Sequence, residues 1–195
     1  MVGERSPVPG TYPGESTTWC DQRHLLGGRL GIEWMTTDSM TELTQAITQA
    51  GDLYHRLVLL VGPQGVGKTA VLRSIAEAQN YPIINVNLQL CKAMLELTRG
   101  QRTRQVERLF KAIVGDVPAG VVLLDNLEVL FDPGLEVEPL RLLLNASRNQ
   151  TLVAAWNGTF RDGTLVYAEP GHPEFAQYKQ IEALVVPLGP DGPNA

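Results

Sequence analysis

The chain has 195 residues, 44% of them hydrophobic and 19% charged, which allows one domain with a sizeable core and excludes two domains of ordinary size. Its 16 Lys and Arg against 21 Asp and Glu give a formal net charge of −5. That balance excludes charge-driven coating of nucleic acid or membrane and confines any polyanion contact to a local patch.

Cys20 and Cys91 have no zinc spacing and no nearby partners, so neither a metal cluster nor a disulfide framework is expected. No apolar run reaches the roughly 18 residues of a membrane span, and the N-terminus lacks the basic-then-apolar plan of a signal peptide. A soluble, cytoplasmic protein without membrane contact is the expectation. Residues 1–34 carry scattered Gly and Pro without sustained periodicity and read as irregular. Met35 opens the first stretch patterned for structure, which suggests that translation starts there. The expected organisation is an irregular segment over 1–34, one domain over 35–188 and a tail over 189–195.

Ser39-Met40-Thr41-Glu42 is a capping box, followed by an apolar helical face of Leu43, Ala46, Ile47 and Ala50. Leu57 to Val61 is a continuous apolar run of strand length, as for a strand covered on both faces. Thr69 to Asn80 reads as a helix, ended before Pro82, and Ile83 to Asn87 as a short strand. Leu90, Met94 and Leu97, then Val106, Leu109, Phe110 and Ile113 after Gly100, predict two helices or one broken helix. Val121 to Leu124 is a second buried strand ending at Asp125, Pro139 to Arg148 a helix with Pro in its first turn, and Thr151 to Trp156 a further strand. Asn157-Gly158 and Asp162-Gly163 mark turns, with Thr164 to Ala168 as a hairpin arm and Glu182 to Val186 as a last strand. Strands alternating with helices imply a parallel sheet.

Between the first strand and the next helix stands Gly62-Pro63-Gln64-Gly65-Val66-Gly67-Lys68-Thr69, which meets every fixed position of the phosphate-binding P-loop. A triphosphate needs backbone N–H groups brought close without intervening side chains, which Gly62, Gly65 and Gly67 permit. Lys68 supplies positive charge to the β and γ phosphates, Thr69 a hydroxyl for Mg²⁺, and Ala70 completes the nucleotide-contacting run. Asp125, beyond the carboxyl end of a buried strand, is the expected second metal ligand and resembles a Walker B acid. The fold expected is therefore α/β, a P-loop NTPase three-layer α/β/α sandwich with a mostly parallel central sheet, of the additional-strand class.

Hydrolysis needs a base for the attacking water. ATPases of that class place a Glu directly after the Walker B acid, where this chain has Asn126, which can hold a water but cannot take its proton. Glu128 or Asp132 must then serve, and Glu128 is favoured; the competing reading is a solvated loop acid. Asn157 is either a sensor-type residue facing the γ phosphate and the water, or part of an Asn-Gly turn. Arg148 is either a finger acting in trans or a helix-end arginine. Arg104, Arg108 and Lys111 at i, i+4 and i+7, with Arg99 and Arg102 before them, form a basic stripe suited to DNA or an acidic protein, or a solvated face.

Three segments, Leu57 to Thr69, Leu123 to Pro133, and Trp156-Asn157-Gly158 through Tyr167 to Pro173, together resemble the BrxF family, the small P-loop proteins of type 3 bacteriophage-exclusion (BREX) systems. The resemblance spans about Met35 to Tyr178. It implies an ATPase that works beside a DNA methyltransferase, a phosphatase-like protein and other ATPase components to block phage DNA replication. From this follows the expected function: an ATP- and Mg²⁺-binding, ATP-hydrolysing subunit whose nucleotide state controls partner contacts. A small-molecule or nucleoside kinase, and a nucleotide-sensing module without significant turnover, are the alternatives. ATP is the default nucleotide, since no guanine-reading Asn-Lys-x-Asp stretch occurs. The chain ends about 40 residues after Trp156, short of a full helical lid, so ring assembly is not expected.

Overall fold

The computed structural model describes residues 39–189. The 1–34 segment, the start at Met35 and residues 190–195 of the expected tail lie outside them. A first helix, α1, covers 39–50. After it come β1 (Leu57–Gly62), α2 (Lys68–Gln79), β2 (Ile83–Asn85), α3 (Val86–Ala93), α4 (Arg99–Gly115) and β3 (Val121–Asp125). Two 3-10 turns, Glu128–Phe131 and Pro133–Leu135, lead to α5 (Pro139–Ala146). The described chain then closes with β4 (Thr151–Arg161), β5 (Thr164–Tyr167), β6 (Ala176–Lys179) and β7 (Leu184–Pro187).

The strand order is β2-β3-β4-β1-β7, and every neighbouring pair on this path is parallel. The strand bearing the P-loop and the strand bearing Asp125 are thus separated by β4, which is the arrangement of the additional-strand class. Alternation along the strands divides the core between the two faces. Leu57, Leu59 and Val61 join α3, α4 and α5 on one face. Val58 and Leu60 join α1 and α2 on the other. All six residues of β1 are buried, and each large aliphatic side chain among them contributes about 1.5–3 kcal/mol on burial. This interior strand, paired with β4 on one edge and β7 on the other, is a firmly anchored platform that delivers the P-loop from its end.

Besides β6, which the sequence reading lacked, and β7, which starts two residues later and ends one later than expected, four differences bear on the architecture. Asn85 caps α3 by accepting from the Leu88 amide at 2.9 Å, so β2 stops two residues early and a helix begins. Gly100 lies inside the first turn of α4, behind the Thr98–Gln101 capping box, so the break falls before it. The helix α5 ends at Ala146, short of Arg148.

The fourth difference bears on the site. No turn forms at Asn157-Gly158: β4 runs through both, pairing parallel with β1 as far as Asn157 and antiparallel with β5 from Gly158 onward. A Cβ on Gly158 would stand 1.8 Å from the Val166 carbonyl oxygen, so only glycine lets the strands approach there. The Asp162-Gly163 turn does form, with φ of 49° and 71°, and folds β5 back on β4. Trp156, fully buried, ties the two sheets together by donating from Nε1 to the Val166 carbonyl at 3.1 Å. Phe131 and Tyr167 stack in parallel beside it.

Candidate nucleotide site

The P-loop conformation follows from its glycines. Gly65 and Gly67 have φ of 81° and 103° with open space where a Cβ would stand, so the constraint on them is backbone conformation rather than room. At Gly62 the constraint is room: a Cβ would come within 2.4 Å of the Leu188 carbonyl oxygen. Gly67 is the N-cap of α2 and offers no side-chain cap bond. The first amides of this 12-residue helix are therefore left to an anion, with the helix dipole adding to the attraction.

Lys68 is 6% exposed, and its Nζ donates to the carbonyls of Gly62 and Pro63, both at 2.7 Å. Burial lowers its pKa to about 8, against the opposing pull of the Glu128 and Asp125 carboxylates. Next along the helix, the Thr69 hydroxyl donates to Asp125 Oδ1 at 3.2 Å. Two hard oxygen ligands thus stand side by side at a phosphate cradle, a donor set that suits Mg²⁺, which is usually held by one or two protein oxygens together with phosphates. When bound, the ion would neutralise charge on the β and γ phosphates.

After Asp125 the chain must turn sharply, and Asn126 does so with φ of 55°. Asn tolerates this left-handed conformation better than most residues, Glu included. Its carbonyl accepts from the Asn87 amide at 2.9 Å. The turn carries Glu128 back over the cavity, where its Oε1 accepts from Asn157 Nδ2 at 2.6 Å. Asp132 takes a different path: its Oδ1 accepts from the Gly134 amide at 2.8 Å and caps the second 3-10 turn, so it is not on the cavity wall. Of the two acids that the sequence offered as base, the structure brings Glu128 to the site.

These groups line one cavity of about 410 Å³. Gln64, Gly65, Gly67, Lys68, Thr69 and Ala70 form one side, and Asp125, Glu128 and Asn157 the other. Gly62, Pro63 and Val66 build the loop from behind and are absent from the wall. Arg73, Asn126 and Ala155 line it as well. Arg73 stands four residues after Thr69, one helical turn on, a spacing in the sequence that could have pointed to it. Arg148 lies instead over the Tyr54 ring at 5.3 Å, at the amino ends of β1 and β4, away from its own chain's cavity. The basic set of α4 also divides: Arg104, Arg108 and Lys111 are exposed, while Arg99 and Arg102 line a groove beside α3.

Residues 58–153 match the model of the ATPase family associated with various cellular activities (AAA). The fold is that of a P-loop NTPase with a parallel central sheet. Nucleotide binding goes with this fold, and ATPases of the matched family take ATP with Mg²⁺. Among solved structures, the chain is similar to C. elegans PCH-2, with 17% identity over 80% of this chain and 43% of that one and a TM-score of 0.45. It is also similar to the replication initiator DnaA bound to AMPPCP and single-stranded DNA, with 18% identity over 79% and 45% and a TM-score of 0.42. AMPPCP-bound DnaA from Aquifex aeolicus gives 17% identity over 85% and 47%, with a TM-score of 0.39. The chain spans less than half the length of each of these proteins. No curated protein sequence matches it. Among the described residues, no helix is long and apolar enough to cross a membrane.

Proposed function

We propose that the chain hydrolyses ATP and that its nucleotide state controls contacts with partner proteins. The observation that carries this is the meeting, in one cavity, of Lys68, the Thr69–Asp125 pair and the Glu128–Asn157 pair. Lys68 and the free amides of α2 hold the phosphates, and Thr69 with Asp125 holds the metal ion. Glu128 accepts a proton from the water that attacks the γ phosphorus, the bond from that phosphorus to the bridging oxygen breaks, and ADP leaves. Asn157 positions Glu128. Since Glu128 is bonded to Asn157 rather than free, turnover by the isolated protein is slow, and a partner that shifts this bond raises it.

The partner setting we propose is a type 3 BREX system, in the cytoplasm, beside a methyltransferase, a phosphatase-like protein and further ATPase components. Its support is that the three segments carrying the resemblance converge here: the P-loop, the turn after β3 with Glu128, and β4 with Asn157. The exposed Arg104, Arg108 and Lys111 on α4 are a place for contact with an acidic partner or DNA. Phosphate release by wild type, Lys68→Ala and Asp125→Ala, with and without those components and DNA, tests both levels. Stimulation only by the components supports the assignment; turnover unaffected by them sinks the BREX role, and unchanged Mg²⁺-nucleotide affinity in Lys68→Ala sinks the site itself.

A further inference from the structure

Next to the nucleotide cavity, across the 3-10 turn that carries Glu128, lies a second and larger hollow of about 780 Å³. Its walls are the end of α3, the α3–α4 connection, the start of α4 and the two 3-10 turns. Apolar groups dominate part of it: Met94, Val129 and Leu135 line it, and Leu95 stands 76% exposed at its rim. Leu88, 48% exposed, lies one turn before Cys91 on α3, and Leu95 follows in the turn after that helix ends at Ala93, which extends the apolar ridge toward the hollow. A large aliphatic side chain three-quarters exposed beside a hollow of this size stands out, since few large apolar groups are exposed among the described residues.

The charge on the hollow is one-sided. Arg99 and Arg102 line it, and the single acid on its wall, Asp132, is engaged by the Gly134 amide. On a chain of net charge −5 this is a local reversal of sign. Apolar ridge plus cationic rim is the complement of a helix with leucines on one face and carboxylates beside them. Nucleic acid fits less well: the lining holds no aromatic ring on which a base could stack.

Two direct links join the hollow to the nucleotide cavity. Glu128 lines the cavity and the next residue, Val129, lines the hollow, both within one 3-10 turn. The carbonyl of Asn126, a cavity residue, accepts from the amide of Asn87 in the first turn of α3, the helix that bears the apolar ridge. We infer that this hollow is the docking site for an acidic, leucine-bearing amphipathic segment of a partner protein, and that its affinity follows the nucleotide state. The second clause rests on the nucleotide reading above; the first does not.

The test uses the full chain and three fluorescein-labelled probes followed by anisotropy. One is a 16-residue peptide with Leu at i, i+3, i+4 and i+7 and Glu elsewhere, the second its analogue with Lys in place of Glu, the third a 20-nucleotide oligo-dT. The acidic peptide should bind at least tenfold tighter than the basic one, and Leu95→Asp and Arg99→Glu should each weaken it at least fivefold. Mg²⁺-ATP and Mg²⁺-ADP should give affinities that differ at least threefold in wild type. Binding of a fluorescent ATP analogue, unchanged in both variants, shows that they are folded and that the nucleotide site is intact. Failure of the acidic peptide to bind, indifference to Leu95→Asp, or tighter binding of oligo-dT lost in Arg99→Glu overturns the docking site. Peptide binding that ignores nucleotide, in protein shown to bind the analogue, overturns the coupling alone.

Discussion

Lys68 and Glu128 face the same cavity, and each is held by the chain itself, yet in different ways. Lys68 is fixed by two backbone carbonyls of a loop that grows out of a fully buried strand, at 2.7 Å each. Glu128 is fixed by one side-chain amide, Asn157 Nδ2, from β4 on the same side of the cavity. Carbonyls in a packed loop cannot leave, whereas a side-chain bond breaks by a rotamer change. The phosphate-binding half of the site is therefore built in advance, and the proton-accepting half waits for an adjustment. On the proposed mechanism, a protein arranged like this binds nucleotide readily and turns it over slowly until something moves the Asn157–Glu128 pair.

The sharpest way to break the comparison is to remove the base and leave the cradle. Glu128→Gln keeps the shape and still hydrogen-bonds, but cannot accept a proton, so turnover should fall by about 10²- to 10⁴-fold. The dissociation constant for Mg²⁺-ATP should remain within about twofold. Single-turnover phosphate release and equilibrium binding, measured on one preparation, check the two halves separately. Loss of binding with unchanged rate would invert the roles assigned here.

Lys68→Ala attacks the other half. It removes the charged hydrogen bonds to the phosphates, each of about 1.5–3 kcal/mol, so affinity for Mg²⁺-ATP should drop on the order of 100-fold. Calorimetric titration reads this directly. Because the two carbonyls at Gly62 and Pro63 also lose their donor, a modest fall in the melting temperature should accompany it.

Much of this half could be read from the sequence, because its constraints are local. Strand Leu57 to Val61, the eight-residue loop and the following helix are contiguous, and the glycines state their own reasons. Asp125 was legible too, at the end of its apolar strand. The turn after it was not. Asn126 draws attention as a missing base, but that it adopts a left-handed conformation which swings Glu128 over the cavity, and leaves Asp132 to cap a 3-10 turn, depends on backbone geometry that residue types do not specify. Asn157-Gly158 misled for a related reason. The pair is a common turn signal, but here Gly158 is required by the Val166 carbonyl that crosses it, a contact made only once β5 has folded back. The pattern inside α4 was correct as a helix, while its arginines fall on separate sides, Arg99 and Arg102 toward the groove.

The Asn157–Glu128 bond is open to a milder perturbation. Asn157→Ala frees the carboxylate without removing it, so the base is present and released from its restraint. Turnover by the isolated protein should rise by up to about tenfold, because the carboxylate is no longer tied to the Asn157 amide, with Mg²⁺-ATP affinity nearly unchanged. Stimulation by a partner should shrink at the same time, since the bond that the partner shifts is already gone. A variant with unchanged basal rate and full stimulation would show that Asn157 does not restrain Glu128.

The smallest effect expected comes from pH, and it acts on Lys68 alone. In the nucleotide-free protein its pKa is lowered from 10.5 to about 8 by burial. Phosphate binding requires the ammonium form, and the phosphate charges pull the pKa back up once nucleotide is in place. At pH 8.5 only about a quarter of the free protein carries the ammonium, so affinity should be about fourfold weaker than at pH 7. Binding at pH 8.5 should take up a proton, visible as a dependence of the calorimetric enthalpy on the ionisation enthalpy of the buffer. Stability of the nucleotide-free protein should move in the opposite direction. Between pH 8 and 10.5 the unfolded lysine binds a proton that the folded one does not, so unfolding free energy rises with pH through this window. Lys68→Met, which has no titrating group at this position, should lose both effects together. A wild-type protein whose affinity stayed flat from pH 7 to 9 would show that Lys68 is not desolvated in the free loop, and with that the preformed state of the cradle would fall.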